Sequence, residues 1–231
     1  MKKRKIRLAL AQMANAGSIK NNLSKSIQLL KAAAENKADL VLFPEVQLTE
    51  FFPQYPGKDV SKYAIPLDSD IIKQFCAACK AYCIMAVPNI YLLENGKTYD
   101  ASILIDKNGS ILGVQKMVHI AQAEQFFEQD YYMPSDDGFH VFDTAFGKIG
   151  IVVCSGKHPH RSFDGSRSNS DSNRKHQGRT LKNVCVGNPS TGVSKQCAPC
   201  NVQSCRNGRS YEFFRRIYCN RCQWRSTCNG R

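Results

Sequence analysis

Three side chains able to take part in covalent chemistry each stand where a predicted strand ends. Glu45 follows the apolar run "DLVLFP", Lys116 lies in "VQKMVHI", and Cys154 closes "IGIVVC". A thiol is a nucleophile, a carboxylate accepts protons, and an ammonium group stabilises negative charge. Folds of the α/β type place their chemistry at strand ends, which favours these residues. Each also has a simpler interpretation, because a cysteine on an apolar strand is usually a small buried hydrophobe and a charged residue beyond a strand is usually solvated.

A second candidate site lies near the end of the sequence. "CAPC" holds Cys197 and Cys200, "CNRC" holds Cys219 and Cys222, and 18 residues separate Cys200 from Cys219. This spacing is typical of a zinc ribbon, and the surrounding Arg and Lys suit nucleic acid. Taken alone, this segment is interpreted as a Ser/Asn/Arg-rich linker followed by a small basic zinc module.

The elements that must position these residues alternate along the first half of the chain. Strands are predicted for "IRLALAQM", "DLVLFPE" and "CIMAVPNIYLL", and helices for "SIKNNLSKSIQLLKAAAENKA", with Ser18 as N-cap, and "DSDIIKQFCAACKAY". Two hairpins follow, one turning at Asn108-Gly109 and the other near Gly147. This order predicts an α/β fold with a mixed sheet and helices on one face.

The three cysteines of "CAACKAYC", Cys76, Cys79 and Cys83, lie on the second predicted helix and at its exit. Small apolar residues pack at such positions, so we interpret these cysteines as packing residues rather than metal ligands.

Charge and cysteine content divide the chain near Cys154. The formal net charge is +13. Up to Cys154 there are 17 basic and 16 acidic residues, and beyond it 15 basic and 3 acidic ones. Four of the eleven cysteines lie in the first part and seven in the second. The overall charge therefore describes neither part of the chain.

The opening "MKKRKIRLALAQMANAG" has a basic start, but its apolar run is short and alternates as a strand does. We therefore do not interpret it as a signal peptide. No window approaches the roughly 18 apolar residues of a membrane span. We expect a cytoplasmic protein with reduced thiols rather than a disulfide framework.

Five ordered segments carry a resemblance to a known family: "LALAQM", "DLVLFPE", "YDASILIDKNGSILG", "KMVHI" and "FFEQDYYMPSDDGFHVFDTAFGKIGIVVC". Through them, residues 5–154 resemble the carbon–nitrogen hydrolase family, the nitrilase superfamily, and within it the N-carbamoylputrescine amidase branch. The resemblance implies an α-β-β-α sandwich, of which only the N-terminal part is present. It also implies an intact protein that is a homo-oligomer and uses no metal or organic cofactor.

The resemblance implies a catalytic triad of Glu45, Lys116 and Cys154, with Glu128 as a second glutamate. Glu45 would take the proton of the thiol and later activate water. Cys154 would attack the amide or ureido carbon and form a thioester-type intermediate. Lys116 and the backbone N–H of residue 155 would hold the oxyanion, and Glu128 would orient Lys116 or the substrate.

The implied activity is hydrolysis of a non-peptide C–N bond in a small linear amide or N-carbamoyl amine. Neither nucleic acid nor membrane is expected as a partner. One departure from the family pattern is "KMVHI", in which two residues stand between the lysine and the histidine where many members have one. This leaves Lys116 in place and favours a purely structural role for His119.

The family pattern does not continue after Cys154, but it can be recovered by reading the codons one base along. Residues 211–227 can then read "MNFSGESIVIDANGDPL", and residues 200–208 can read "AMCNRVGME". We therefore interpret residues 155–231 as an out-of-frame, disordered basic tail and expect this chain to be inactive. The alternative class is a basic, non-enzymatic protein whose zinc-ribbon tail binds nucleic acid.

Overall fold

Helices and strands alternate along the first hundred residues. The structure is a computed structural model, and it describes residues 6–153 and 182–187 of the chain. The helices of this part are α1 (Ile19–Glu35) and α2 (Asp70–Tyr82). The strands are β1 (Leu8–Leu10), β2 (Leu40–Leu42), β3 (Ile65–Pro66), β4 (Met85–Val87), β5 (Asn89–Glu94), β6 (Lys97–Ile105), β7 (Ile111–Lys116), β8 (Gln122–Ala123), β9 (Phe126–Phe127), β10 (Val141–Thr144), β11 (Gly147–Val153) and β12 (Lys182–Gly187).

The larger sheet has seven strands and is mixed, as predicted. Its order is β1-β2-β4-β6-β5-β3, and β7 also pairs with β6. β1, β2 and β4 run parallel, so that Leu42 lies opposite Leu10 on one side and Val87 on the other. β6 pairs antiparallel with both β5 and β7. The parallel part needs helical crossovers, which α1 and α2 supply.

Both helices begin at a serine cap and bury one apolar face. The Ser18 hydroxyl accepts the N–H of Asn21 at 3.2 Å, so the predicted cap is confirmed. Ser69 caps α2 in the same way. Leu30 and Phe75 are fully buried, and burial of one such side chain stabilises the fold by about 1.5–3 kcal/mol. Within the described residues, neither helix is long and apolar enough to cross a membrane.

The larger sheet separates two apolar cores. The helix-side core lies between the sheet and the two helices and contains Val41 and Ile103. The inter-sheet core lies on the opposite face and contains Leu40, Leu42 and Leu104. Because successive residues of a strand point to opposite faces, β2 contributes to both cores. This explains why its sequence is a continuous apolar run rather than an alternating one.

The smaller sheet has the order β10-β11-β12, and its strand β11 covers the inter-sheet core. Ile149, Ile151 and Val153 of β11 are buried there. β12 pairs antiparallel with β11 and lies within residues 155–231, so six residues of the segment that the sequence predicts to be disordered form a strand. β10 and β11 form the predicted second hairpin, in which Thr144 pairs with Gly147. Helices on one face of a sheet and a second sheet on the other give three successive layers, α-β-β, of the predicted α-β-β-α sandwich.

The single strand predicted for "CIMAVPNIYLL" is two strands in the structure. Pro88 separates β4 from β5, because proline has no N–H for the ladder. Its carbonyl oxygen still accepts the N–H of Ile103 at 2.9 Å. β4 runs parallel to β2, whereas β5 pairs antiparallel with β6. The break places Asn89, the first residue of β5, next to the segment that carries Glu45.

Candidate active site

Glu45 lies three residues beyond β2, in a buried turn. Its side chain is only 6% exposed. The N–H of Phe43 donates to the carbonyl oxygen of Val87 at 3.2 Å, which continues the pairing of β2 with β4 up to the turn. The next residue, Val46, has φ +41°, a conformation that is rare for a β-branched residue. The turn is therefore held by specific contacts rather than by local preference.

Those contacts come from buried polar side chains of β5 and β6. The side-chain oxygen of Asn89 accepts the N–H of Val46, and the N–H of Asn89 donates to the side-chain oxygen of Gln47 at 3.0 Å. The amide nitrogen of Asn89 donates to the Asp100 carboxylate and, at 3.2 Å, to the Ser102 hydroxyl. Asn89, Asp100 and Ser102 are each fully buried. Buried polar groups are stable only when hydrogen-bonded, as they are in this network.

Glu128 is also fully buried, at the start of a short 3₁₀ turn that spans Glu128–Asp130. Its carboxylate accepts the N–H of Ala121 at 2.8 Å. Its carbonyl oxygen accepts the N–H groups of Tyr131 and Tyr132, at 3.1 and 2.9 Å. The orientation of Glu128 is thus tied to that of Tyr132.

Tyr132 belongs to the inter-sheet core and is bonded to Glu128 through its backbone N–H. Its side chain is 2% exposed. Burial raises the pKa of the Tyr132 phenol well above its ordinary value, and the negative charges of Asp100, Glu45 and Glu128 raise it further. Both predicted glutamates are thus buried and act electrostatically on the same phenol.

Lys116 belongs to a different group of charges. It is the last residue of β7 and lies opposite Ala101, a member of the helix-side core. Its ammonium group pairs with the Glu94 carboxylate, lies 3.9 Å from Asp137, and stands 4.5 Å above the ring of Tyr99. Burial lowers the pKa of Lys116, but the hydrogen bond and the charge of Glu94, with Tyr99 and Asp137, outweigh burial and raise it.

The register of β7 places the Lys116 side chain on the face of the larger sheet opposite to the one that Tyr132 packs against. Met117, the residue after Lys116, is in the inter-sheet core together with Tyr132. Since successive side chains alternate, the Lys116 side chain points to the other face. His119, the residue for which a structural role is expected, is exposed, and its ring lies 5.8 Å from that of Phe139.

The predicted nucleophile, Cys154, lies outside the described residues. It directly follows Val153, which is 2% exposed at the end of β11. Cys197, Cys200, Cys219 and Cys222 also lie outside the described residues, so the zinc-ribbon interpretation stays a sequence prediction.

Two of the three cysteines in "CAACKAYC" are packed as predicted, whereas for Cys83 the prediction is wrong, because its side chain is exposed. Cys79 is fully buried, and burial, with smaller effects from Cys76 and Asp106, raises the pKa of its thiol to about 12. Cys76 is half-buried, and Cys83 is the exposed left-handed cap of the helix. Among the residues that the structure describes, no three His, Cys, Asp or Glu side chains form a group that could hold a metal ion.

Sequence reasoning missed the network around Asn89 and Asp100, and it missed Tyr132. A signal was present, because both "VPNIYLL" and "TYDASILI" place a polar residue inside an otherwise apolar strand. A polar residue at such a position requires a buried partner.

The chain matches the family model of carbon–nitrogen hydrolase over residues 7–161. It belongs to that family. It is 28% identical over 150 residues to a citrullinase of Francisella tularensis, covering 64% of this chain and 52% of the relative. It is 27% identical over 154 residues to the N-carbamoylputrescine amidase of Arabidopsis thaliana, covering 66% and 52%. The chain thus spans about half the length of the curated relatives that it matches.

Solved structures show the same fold. A carbon–nitrogen hydrolase from Helicobacter pylori aligns with a TM-score of 0.58 at 24% identity, covering 63% of this chain and 50% of that one. An amidase from Nesterenkonia sp. aligns with a TM-score of 0.56 at 18% identity, covering 67% and 57%. The nitrilase-type α/β architecture predicted from the sequence is therefore confirmed.

Proposed function

We propose that this protein derives from a hydrolase that cleaves the C–N bond of a small linear amide or N-carbamoyl amine, with Cys154 as nucleophile. The observation that carries the proposal is the burial of both Glu45 and Glu128 in a chain that belongs to the carbon–nitrogen hydrolase family. Buried carboxyl groups are typical of acid–base sites. The names of the relatives, a citrullinase and an N-carbamoylputrescine amidase, support the substrate class.

In the proposed reaction the Cys154 thiol transfers its proton to Glu45 while its sulfur attacks the carbonyl carbon. The resulting oxyanion is held by the Lys116 ammonium group and the N–H of residue 155. As the C–N bond breaks, Glu45 returns the proton to the leaving amine, and an acyl or carbamoyl thioester remains. Glu45 then takes a proton from water, whose oxygen attacks the thioester carbon; the C–S bond breaks, and Glu45 returns the proton to the departing thiolate. Each step uses only side chains, backbone and water.

This mechanism requires the Lys116 ammonium group to leave Glu94. In the structure it is paired with Glu94 on the helix side of the sheet, whereas Tyr132, on whose phenol Glu45 and Glu128 both act, belongs to the inter-sheet core. We propose that Lys116 turns to the inter-sheet face when an oxyanion forms there. Four rotatable side-chain bonds at a strand end allow this change without unfolding β7.

We also propose that turnover is impaired in the chain as it stands. It spans about half of its relatives, and residues 155–231 carry 15 basic against 3 acidic residues. Such a composition supplies little apolar surface to offset backbone ordering, which costs about 1–2 kcal/mol per residue. The intact parent is proposed to be a cytoplasmic homo-oligomer.

The out-of-frame origin of residues 155–231 has a direct test in the gene. Translating the coding strand one base along should give an open frame that contains "NRVG" and "SGES". Stop codons scattered through that frame would reject this origin.

The activity is tested on the purified 231-residue chain with N-carbamoyl amines and short linear amides, by measuring ammonia release. We expect little or no turnover, together with limited protection of the tail from trypsin. Turnover that disappears in Cys154→Ala would support the proposed chemistry and contradict the proposed impairment. A trypsin-resistant tail with stoichiometric zinc would instead favour the zinc-ribbon alternative.

A further inference from the structure

The turn that carries Glu45 has a backbone that would not be stable alone. Val46 has φ +41°, and a non-glycine residue in such a conformation costs about 1–3 kcal/mol unless its surroundings impose it. Val46 is also buried, at 2% exposure, so water cannot satisfy its N–H. The direction in which the Glu45 side chain projects from the backbone depends on this turn, because the Glu45 carbonyl and the Val46 N–H belong to the same peptide unit.

One side chain satisfies that N–H. The Asn89 side-chain oxygen accepts it, and Asn89 can present its oxygen there only if its amide nitrogen points the other way. The nitrogen points to the Asp100 carboxylate and to the Ser102 hydroxyl. Both of these accept hydrogen bonds, so the network fixes which way the amide faces.

A second contact ties the same turn to helix α1. The Gln47 side-chain oxygen accepts the N–H of Asn89 at 3.0 Å, and its nitrogen donates to the Ser26 hydroxyl at 3.3 Å. Ser26 is buried on α1 and donates to the carbonyl oxygen of Asn22 at 2.8 Å. The turn after Glu45 is thus held from the sheet by Asn89 and from the helix by Ser26.

We infer that Asn89 is a positioning residue for Glu45: its amide fixes the left-handed turn at Val46, and with it the direction of the Glu45 carboxylate, while Asp100 and Ser102 orient that amide. The inference rests on the proposed function, in which Glu45 is the base for Cys154. Asn89 need not contact the substrate, because it acts on Glu45 through the backbone of the turn at Val46. Misplacing a base by one ångström is enough to weaken proton transfer severely.

The readout is the rate at which iodoacetamide modifies Cys154, followed by peptide mass mapping of the full 231-residue chain. The modification of the exposed Cys83 in the same sample serves as an internal reference for reagent concentration and reaction time. Glu45→Gln defines the rate without the base. We expect Asn89→Ala to lower the Cys154 rate as far as Glu45→Gln does, by about 100-fold. The double variant should show no further loss, since the two changes remove the same function.

Two controls separate positioning from loss of stability. Cys79→Ala instead removes a fully buried side chain of α2 from the helix-side core, and it should leave the Cys154 rate unchanged. Ser102→Ala removes only one partner of the Asn89 amide, so it keeps the fold if Asn89→Ala does not. It should lower the Cys154 rate less than Asn89→Ala, in the same direction.

The outcomes distinguish this inference from the proposed function. If Glu45→Gln slows the modification of Cys154 but Asn89→Ala does not, Asn89 has no positioning role and the proposed function stands. Where Asn89→Ala is unfolded, Ser102→Ala takes its place in this comparison. An equal loss in Cys79→Ala would show a general effect of destabilisation and also overturn the inference. If Glu45→Gln leaves the rate unchanged, the proposed function fails and the inference with it.

Discussion

The ion pair between Lys116 and Glu94 gives the sharpest test of the charge arrangement. Lys116 is 15% exposed and Glu94 is 38% exposed, so solvent screens the pair only in part. We expect Glu94→Gln to lower the free energy of unfolding by about 1 kcal/mol at pH 7, the upper end of the range for pairs that water reaches. Asp137, at 3.9 Å, keeps Lys116 from being left without an anion, which limits the loss.

The pH dependence follows from the raised pKa of Lys116. A lysine whose pKa is higher in the folded state contributes stability that is fully present below the unfolded pKa, about 10.4, and is lost as pH rises through the folded value. The difference between wild type and Glu94→Gln should therefore be constant near neutrality and shrink above about pH 10.4.

The assay is urea unfolding followed by far-ultraviolet circular dichroism at pH 7 and at a series of alkaline values. Glu35→Gln is the matched control, because Glu35 pairs with Lys31 at 4.0 Å with both side chains more than half exposed, and it should show no measurable loss. Equal stability of Glu94→Gln and wild type at pH 7 would refute the argument. So would a loss that stays unchanged at high pH.

Two further predictions concern the nucleophile and a hairpin. In a frame-restored protein, Cys154→Ala should abolish turnover and Glu45→Gln should nearly do so, measured as ammonia release; near-normal activity of Cys154→Ala would show that the triad is wrongly assigned. Gly109→Ala and Gly96→Ala should each cost about 1–2 kcal/mol because both glycines have positive φ. Gly109→Ala should cost about 1–3 kcal/mol more, because its added Cβ would lie 2.6 Å from the Cys76 carbonyl oxygen whereas Gly96 has open space; equal losses in urea unfolding would contradict this.

Features set by neighbouring residues were predicted well from the sequence. The Ser18 cap requires only a hydroxyl three residues before a free N–H, and the Asn108-Gly109 turn requires only a residue that tolerates φ +81° at Gly109. The strand break at Pro88 was missed because an apolar run continues on both sides of it. The missing proline N–H matters only once the neighbouring strands are known.

The polar network around Glu45 could not be predicted because its partners are far apart in the sequence. Asn89 bonds to Val46 across 43 positions and to Asp100 across 11. The face on which Lys116 lies was also missed, since it depends on the register that pairs it with Ala101. A shift of one residue would reverse that face, and the sequence alone does not define the register.

The two cores on either side of the larger sheet impose an order on assembly during synthesis. Among the residues that the structure describes, every buried member of the helix-side core lies at or before Ile105, so this core can close while the ribosome is still translating the rest. The inter-sheet core must wait for Ile149 and Ile151. In that interval Leu42 and Met85 present an uncovered apolar surface, the kind of surface to which chaperones bind and through which nascent chains associate. The period between the emergence of β6 and that of β11 is thus the time at which this protein most depends on protection.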